Sequence, residues 1–177
     1  IDARGADEIL LGSTAGAVDQ QTIGHGITNT ANERVIIGGT TAFIACDWGT
    51  DATWDRTSDL RMKDVLGESK LGLSFIQQIQ PIEFRRKPVS EWPKEWGFGK
   101  AVDGVPSSEG NTVTPILGVA AQEVKEALEA EGNPVFNGWK VDMNGRQSIG
   151  DVMFVYPLIN AVKELSSEVQ ALKAKLQ

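Results

Sequence analysis

The chain has 177 residues, 41% of them hydrophobic, one cysteine and a formal net charge of -7. That length and apolar share suffice for one domain or two small ones with a modest core, and the acidic balance, with Arg85-Arg86-Lys87 as its longest basic run, argues against binding a nucleic-acid backbone. Cys46 alone excludes an intrachain disulfide framework, Cys46 and His25 are too few for a structural zinc cluster, and no apolar run nears the roughly 18 residues of a membrane span. No cofactor, resident metal or membrane insertion is expected. The start at Ile1, in mid-pattern and without a leader, reads as the C-terminal piece of a longer chain.

Residues 1–57 carry an internal echo. Asp7-Glu8-Ile9-Leu10-Leu11-Gly12-Ser13-Thr14 recurs as Glu33-Arg34-Val35-Ile36-Ile37-Gly38-Gly39-Thr40, each copy reading as a short strand and a turn. Such strands hold few apolar residues and leave open edges, so the pattern predicts a β-rich fibre segment whose strands are completed by partner chains.

Residues 59–79 read as a helix broken or kinked near Gly67 and Gly72, with Leu60, Val65, Leu66, Leu71, Phe75 and Ile76 as its apolar positions. Pro81 ends it, and Ile82-Glu83-Phe84-Arg85 alternates as a strand. The stretch from Lys87 to Thr114, rich in Pro and Gly and carrying Trp92 and Trp96, is too long for a simple connection and reads as an arm, a binding loop or an insert. Residues 116–120 predict a buried strand, and residues 122–130 a helix that stops at Gly132 and Asn133. Residues 139–142 and 151–156 predict two further strands, with the hairpin signal Asn144-Gly145 between them. In the final helix Leu158, Val162, Leu165, Val169, Leu172 and Leu176 recur at alternating spacings of four and three, the seam of a coiled coil. The seam alone does not fix the number of strands, and packing of this helix on its own domain is the other reading.

Between the two patterns lies Ser58-Asp59-Leu60-Arg61-Met62-Lys63. On its own this hexapeptide reads as an ordinary cap followed by a solvated lysine. Two later motifs change that reading: Gly118-Val119-Ala120-Ala121-Gln122-Glu123-Val124, and Tyr156-x-Leu158-x-x-Ala161-Val162-x-Glu164-Leu165 followed by a heptad. Together, and in this order, they resemble the C-terminal intramolecular chaperone, or peptidase S74, family found at the ends of phage tail spikes, tail fibres and neck appendages.

The resemblance implies an α+β architecture in two parts. Residues 1–57 would be the end of an intertwined, trimeric β-rich fibre or spike, and residues 58–177 a small chaperone domain closing on a long coiled-coil-like helix. It implies a homotrimer that guides folding of the upstream fibre and then releases itself by cutting between Thr57 and Ser58. Ser58 and Lys63 would form the catalytic dyad, with Asp59 and Arg61 as supporting motif residues. It further implies assembly in a host cytoplasm, a place in the virion tail, and loss of the chaperone on maturation.

The chemistry sets its own conditions. A serine hydroxyl needs a base, and an unperturbed lysine, with a pKa of about 10.4, is neutral in roughly one molecule per thousand near pH 7.4. The base must therefore be desolvated by an apolar interface or set beside other cations, for which Arg61 is at hand. Residues five apart do not share a helix face, so Ser58 belongs at a non-helical margin, with the Asp59 region capping the helix that carries Lys63. Ser58 would then attack the Thr57 carbonyl.

Three other readings stand beside this one. The first is a non-catalytic trimeric fibre tip that binds a host-surface receptor or glycan through Trp48, Trp54, Trp92 and Trp96. The second is a chaperone without protease activity. The third is a metal ion held on a threefold axis by His25 of each chain, flanked by Gly24 and Gly26.

Overall fold

The first sheet is built from two short strands that end in glycine and two that do not. In the computed structural model, which describes residues 20–24, 27, 29, 32–39, 43–50, 53–96 and 113–176, β1 (Gln20–Gly24), β2 (Arg34–Gly38), β3 (Phe43–Asp47) and β4 (Trp54–Arg56) lie side by side in that order. β1 and β2 are parallel, with Gln20 opposite Arg34, and the remaining pairs are antiparallel. Both β1 and β2 close on a glycine at positive φ, and a Cβ on Gly24 would collide with the Gly38 carbonyl, so no larger residue ends these strands. The first copy of the sequence echo and His25 lie outside the described residues.

The register sorts the side chains onto two faces, since successive residues of a strand point to opposite sides. Thr22, Ile36 and Ala45 form one row across β1, β2 and β3, and all three are buried. The opposite face carries Ile23, Ile37 and Ile44 in one row and Val35, Cys46 and Trp54 in the next. These six are only partly covered, with Ile44 42% and Trp54 57% exposed. Asn29, between β1 and β2 in the chain, is buried, and its side-chain amide donates to the Gln21 and Arg34 carbonyls.

The chain divides into two compact units, Ile1–Leu66 and Gly67–Gln177. The second is built from α1 (Leu73–Gln77), β5 (Ile82–Phe84), β6 (Ile116–Gly118), α2 (Ala121–Ala130), β7 (Trp139–Val141), β8 (Gln147–Ile149) and α3 (Val155–Lys175). β5 pairs with β6 and β7 with β8, giving two small antiparallel sheets in a mixed α+β fold. Its core gathers Leu71 and Phe75 with Val124, Ala127 and Leu128, the inward stripe of α2. Phe75, Phe136 and Phe154 meet there with ring centroids 5.1–6.3 Å apart. α2 stops at Gly132 and Asn133, both at positive φ, where the Asn133 N–H returns to the Leu128 carbonyl.

Three predicted elements are corrected, and the first is the buried strand of residues 116–120, which is the three-residue β6 with no buried residue and Leu117 73% exposed. The helix expected over residues 59–79 is a single 3-10 turn, Leu60–Met62, then chain in neither helix nor strand and the five residues of α1. Gly67, at positive φ, and Gly72 break the periodicity that the apolar positions suggested. The strand expected over residues 151–156 is a 3-10 turn, Asp151–Phe154, running into α3. Its apolar run is continuous rather than alternating, and Pro157 sits in the first turn of a helix, where its missing N–H costs nothing. The hairpin at Asn144-Gly145 forms, but the returning strand is β8, immediately after the turn.

α3 is fastened to the start of α1 and the residues before it. Asn160 donates to the Leu71 and Ser69 carbonyls, and the Glu164 carboxylate accepts the Leu73 N–H at 2.8 Å. A side chain on Gly72 would strike that carboxylate. Ala161, one helical turn from Pro157 on the inner side, is buried, while the seam residues stay uncovered, from 44% exposed at Leu165 to 87% at Leu176. Among the described residues no helix is long and apolar enough to cross a membrane.

Candidate active site

β4 ends at Arg56, so Thr57 is the first residue beyond the ladder and Ser58 the second. Asp59 follows in an extended conformation, φ -68° and ψ 131°, and its carboxylate accepts the Arg61 backbone N–H at 2.9 Å. This is the N-cap pattern, in which a short acidic side chain takes up an orphan donor at a helix start. The Met62 N–H bonds to the Asp59 carbonyl and the Lys63 N–H to the Leu60 carbonyl, both at 3.1 Å, completing one 3-10 turn. Lys63 leaves the turn extended, at φ -119° and ψ 132°.

The turn folds the lysine back over the serine. Lys63 Nζ lies 2.6 Å from Ser58 Oγ and donates to it. Both side chains are exposed in the single chain. So are Leu60, Met62, Val65 and Leu66, each at least 66% exposed, which leaves uncovered apolar residues within a few positions of the pair in the chain.

Asp59 and Arg61 form a closed unit within the same turn. Besides its backbone contact, Arg61 donates through Nε to Oδ1 and Oδ2 of Asp59, at 3.0 and 3.1 Å, and through Nη2 to Oδ2. The Arg61 side chain, followed by the Arg61 backbone N–H, holds the Asp59 carboxyl below the usual carboxylate range, and the nearby Lys63 charge adds a smaller push in the same direction. Asp59 in turn raises the Arg61 guanidinium above its ordinary value. The sequence suggested Arg61 as a cation beside Lys63; the geometry spends that cation on Asp59. The Asp-x-Arg spacing was the available signal, since a side chain two residues on can reach back to a capping carboxylate.

The later motifs have structural positions. Gly118 ends β6, Val119 packs against the core, Val124 is buried in it, and Glu123 accepts the Gln80 N–H at 3.0 Å. Tyr156, Leu158 and Val162 lie exposed on α3, whereas Ala161 faces inward and Glu164 caps α1. Trp48 and Trp54 belong to the first unit, and Trp92 and Trp96 to the second, where they meet edge-to-face at 6.3 Å. The Trp92 indole N–H donates to the Lys87 carbonyl. Most of the predicted arm, residues 97–112, lies outside the described residues. Among those described, no three His, Cys, Asp or Glu side chains come together as metal ligands. Compared with protein-family models, curated proteins and solved structures, the chain matches none.

Proposed function

We propose that this chain is the end of a phage tail fibre or spike followed by an intramolecular chaperone that trimerises, guides folding of the upstream fibre and cuts itself free between Thr57 and Ser58. The observation that carries the reading is the 2.6 Å contact between Lys63 Nζ and Ser58 Oγ at the edge of a sheet that ends just before the scissile bond. The three-motif resemblance, the uncovered seam of α3 and the half-covered apolar face of the first sheet support the assembly part.

In the reaction neutral Lys63 takes the Ser58 hydroxyl proton, so the present hydrogen bond reverses its direction. Ser58 Oγ attacks the Thr57 carbonyl carbon, forming a C–O bond. The C–N bond breaks as Lys63 returns the proton to the departing Ser58 amine, leaving an ester between Thr57 and the Ser58 side chain. Water then hydrolyses that ester, giving a Thr57 carboxylate and a free Ser58 with its hydroxyl restored. Copies of the chain covering Leu60, Met62, Val65 and Leu66 would exclude water from Lys63 and make it a base only after assembly.

The test is intact mass spectrometry of the freshly expressed chain beside Ser58→Ala and Lys63→Ala, with native mass to count subunits. Wild type should split at Thr57–Ser58, Ser58→Ala should stay whole, and Lys63→Ala should cleave slower by about 10²–10⁴-fold, the usual range for losing a general base. All three should be trimeric. Cleavage at the wild-type rate without Lys63 would remove the dyad assignment, and an uncut monomer would remove the chaperone reading altogether. An uncut trimer would leave the fibre-tip reading, with the exposed rings of Trp48 and Trp54 as the first glycan-stacking candidates.

A further inference from the structure

Two needs conflict at the turn that carries Lys63. Asp59 has to be present because its carboxylate caps the turn that brings Lys63 back to Ser58. Yet a carboxylate near a lysine favours the ammonium form, which cannot take a proton from serine. We propose that Arg61 resolves this as a positioning residue: by occupying both oxygens of Asp59 it keeps that anion from drawing Lys63 away, and leaves Lys63 to Ser58. The inference rests on the Ser58–Lys63 reading and adds to it a role for Asp59 and Arg61.

The contacts fit that role and little else. Among the described residues, the Arg61 side chain hydrogen-bonds to Asp59, through a forked set of Nε and Nη2 contacts that meets both carboxylate oxygens. Its side chain is 89% exposed, so it contributes no packing, and an exposed pair of this kind adds little to stability. What a forked guanidinium does well is saturate a carboxylate in fixed geometry while remaining charged at every working pH. The other charged groups near Lys63 in the chain are Asp64, next to it, Glu68 and Lys70 beyond it, and Asp55 and Arg56 on β4. None of these caps the turn, so Asp59 is the anion whose position is fixed beside the pair.

The experiment is the first-order self-cleavage rate of the full chain as a function of pH, for wild type, Arg61→Gln, Asp59→Asn and the double variant. Arg61→Gln exposes the Asp59 anion to Lys63 and should move the rising limb of the profile about one unit to higher pH, a tenfold slower cut at a fixed pH on that limb. Asp59→Asn keeps an oxygen to accept the Arg61 N–H without the charge, and should show no such upward move. Combining it with Arg61→Gln should return the limb to the wild-type position, which loss of a merely structural contact would not do. An Arg61→Gln profile that is unshifted, or lowered equally at every pH, overturns the proposal, as does a double variant shifted as far as Arg61→Gln alone. A wild type that does not cut removes the dyad reading itself, whereas a cutting wild type with any of those profiles removes only the role of Arg61.

Discussion

In the N-terminal unit the backbone ladder supplies most of the structure, and one row of side chains, Thr22, Ile36 and Ala45, is buried beneath it. In the C-terminal unit the ladders are three residues long, and a cluster of side chains around Phe75 and Val124 supplies the cohesion. The unmet apolar surface differs accordingly. In the first unit it is a whole sheet face, from Val35 and Cys46 to Ile44 and Trp54; in the second it is a stripe along α3, from Leu158 to Leu176. A sheet face asks for another flat surface and a stripe for other helices, so the same assembly would have to bury two kinds of surface by two kinds of packing. In the proposed trimer the two units would therefore be completed by different kinds of contact.

The comparison is broken most sharply at Phe75. Phe75→Ala, placed in the Ser58→Ala background so that the chain stays whole, should destabilise the second unit by about 3–5 kcal/mol, the range for emptying an aromatic site in a core. That is a large part of a domain's usual margin of about 5–15 kcal/mol. Calorimetry of the full chain should show one transition lowered or lost and the other in place. Ile36→Ala should do the converse, lowering the transition of the first unit. If both substitutions lower a single transition equally, the two units do not unfold separately and the contrast drawn above fails.

Why some of this could be read in the sequence and some not follows from range. α2 was legible because every signal is local: apolar residues at helical spacing and a Gly132-Asn133 stop, both of which the backbone uses. α3 was legible as a helix for the same reason, although its spacing did not show that Asn160 and Glu164 face the start of α1 and the residues before it. The over-long helix of residues 59–79 failed because the apolar positions on either side of Gly67 serve different ends. Leu60, Val65 and Leu66 are exposed, while Leu71 and Phe75 enter the core. The sheet pairing was hidden too, since β2 takes β1 as its parallel neighbour and the echo alone gave no partner. At the candidate site the opposite holds. Ser58, Asp59, Arg61 and Lys63 are near neighbours in the chain, so one capped turn is enough to bring them together.

A gentler test addresses the hold of α3 on the rest of its unit. Asn160→Ala removes donors to the Leu71 and Ser69 carbonyls, and the loss of one good hydrogen bond to a partly buried carbonyl should cost about 1 kcal/mol. Urea unfolding of the uncut chain should show that decrease in the second transition with its slope unchanged. Trimer mass should be retained, because the seam residues lie elsewhere on the helix. Loss of trimer with this substitution would mean that the tie to α1, rather than the stripe, organises assembly.

The smallest effect expected is at the β7–β8 hairpin, where Asp142 accepts backbone N–H groups from Asn144 and Arg146. The Arg146 N–H, then the Asn144 N–H and the Arg146 charge, hold the Asp142 carboxyl below the usual carboxylate range. For a carboxyl depressed on folding, the stabilising contribution is complete above the unfolded value of about 4 and fades as pH falls through the lower folded value. Asp142→Asn keeps an acceptor oxygen and removes the charge, so it should melt slightly below the uncut parent at neutral pH and together with it at strongly acidic pH. A gap between the two melting temperatures that persists undiminished in acid would assign the difference to turn geometry instead of charge. The hairpin would then belong, like the first sheet, to the parts of the molecule held by backbone rather than by side chains.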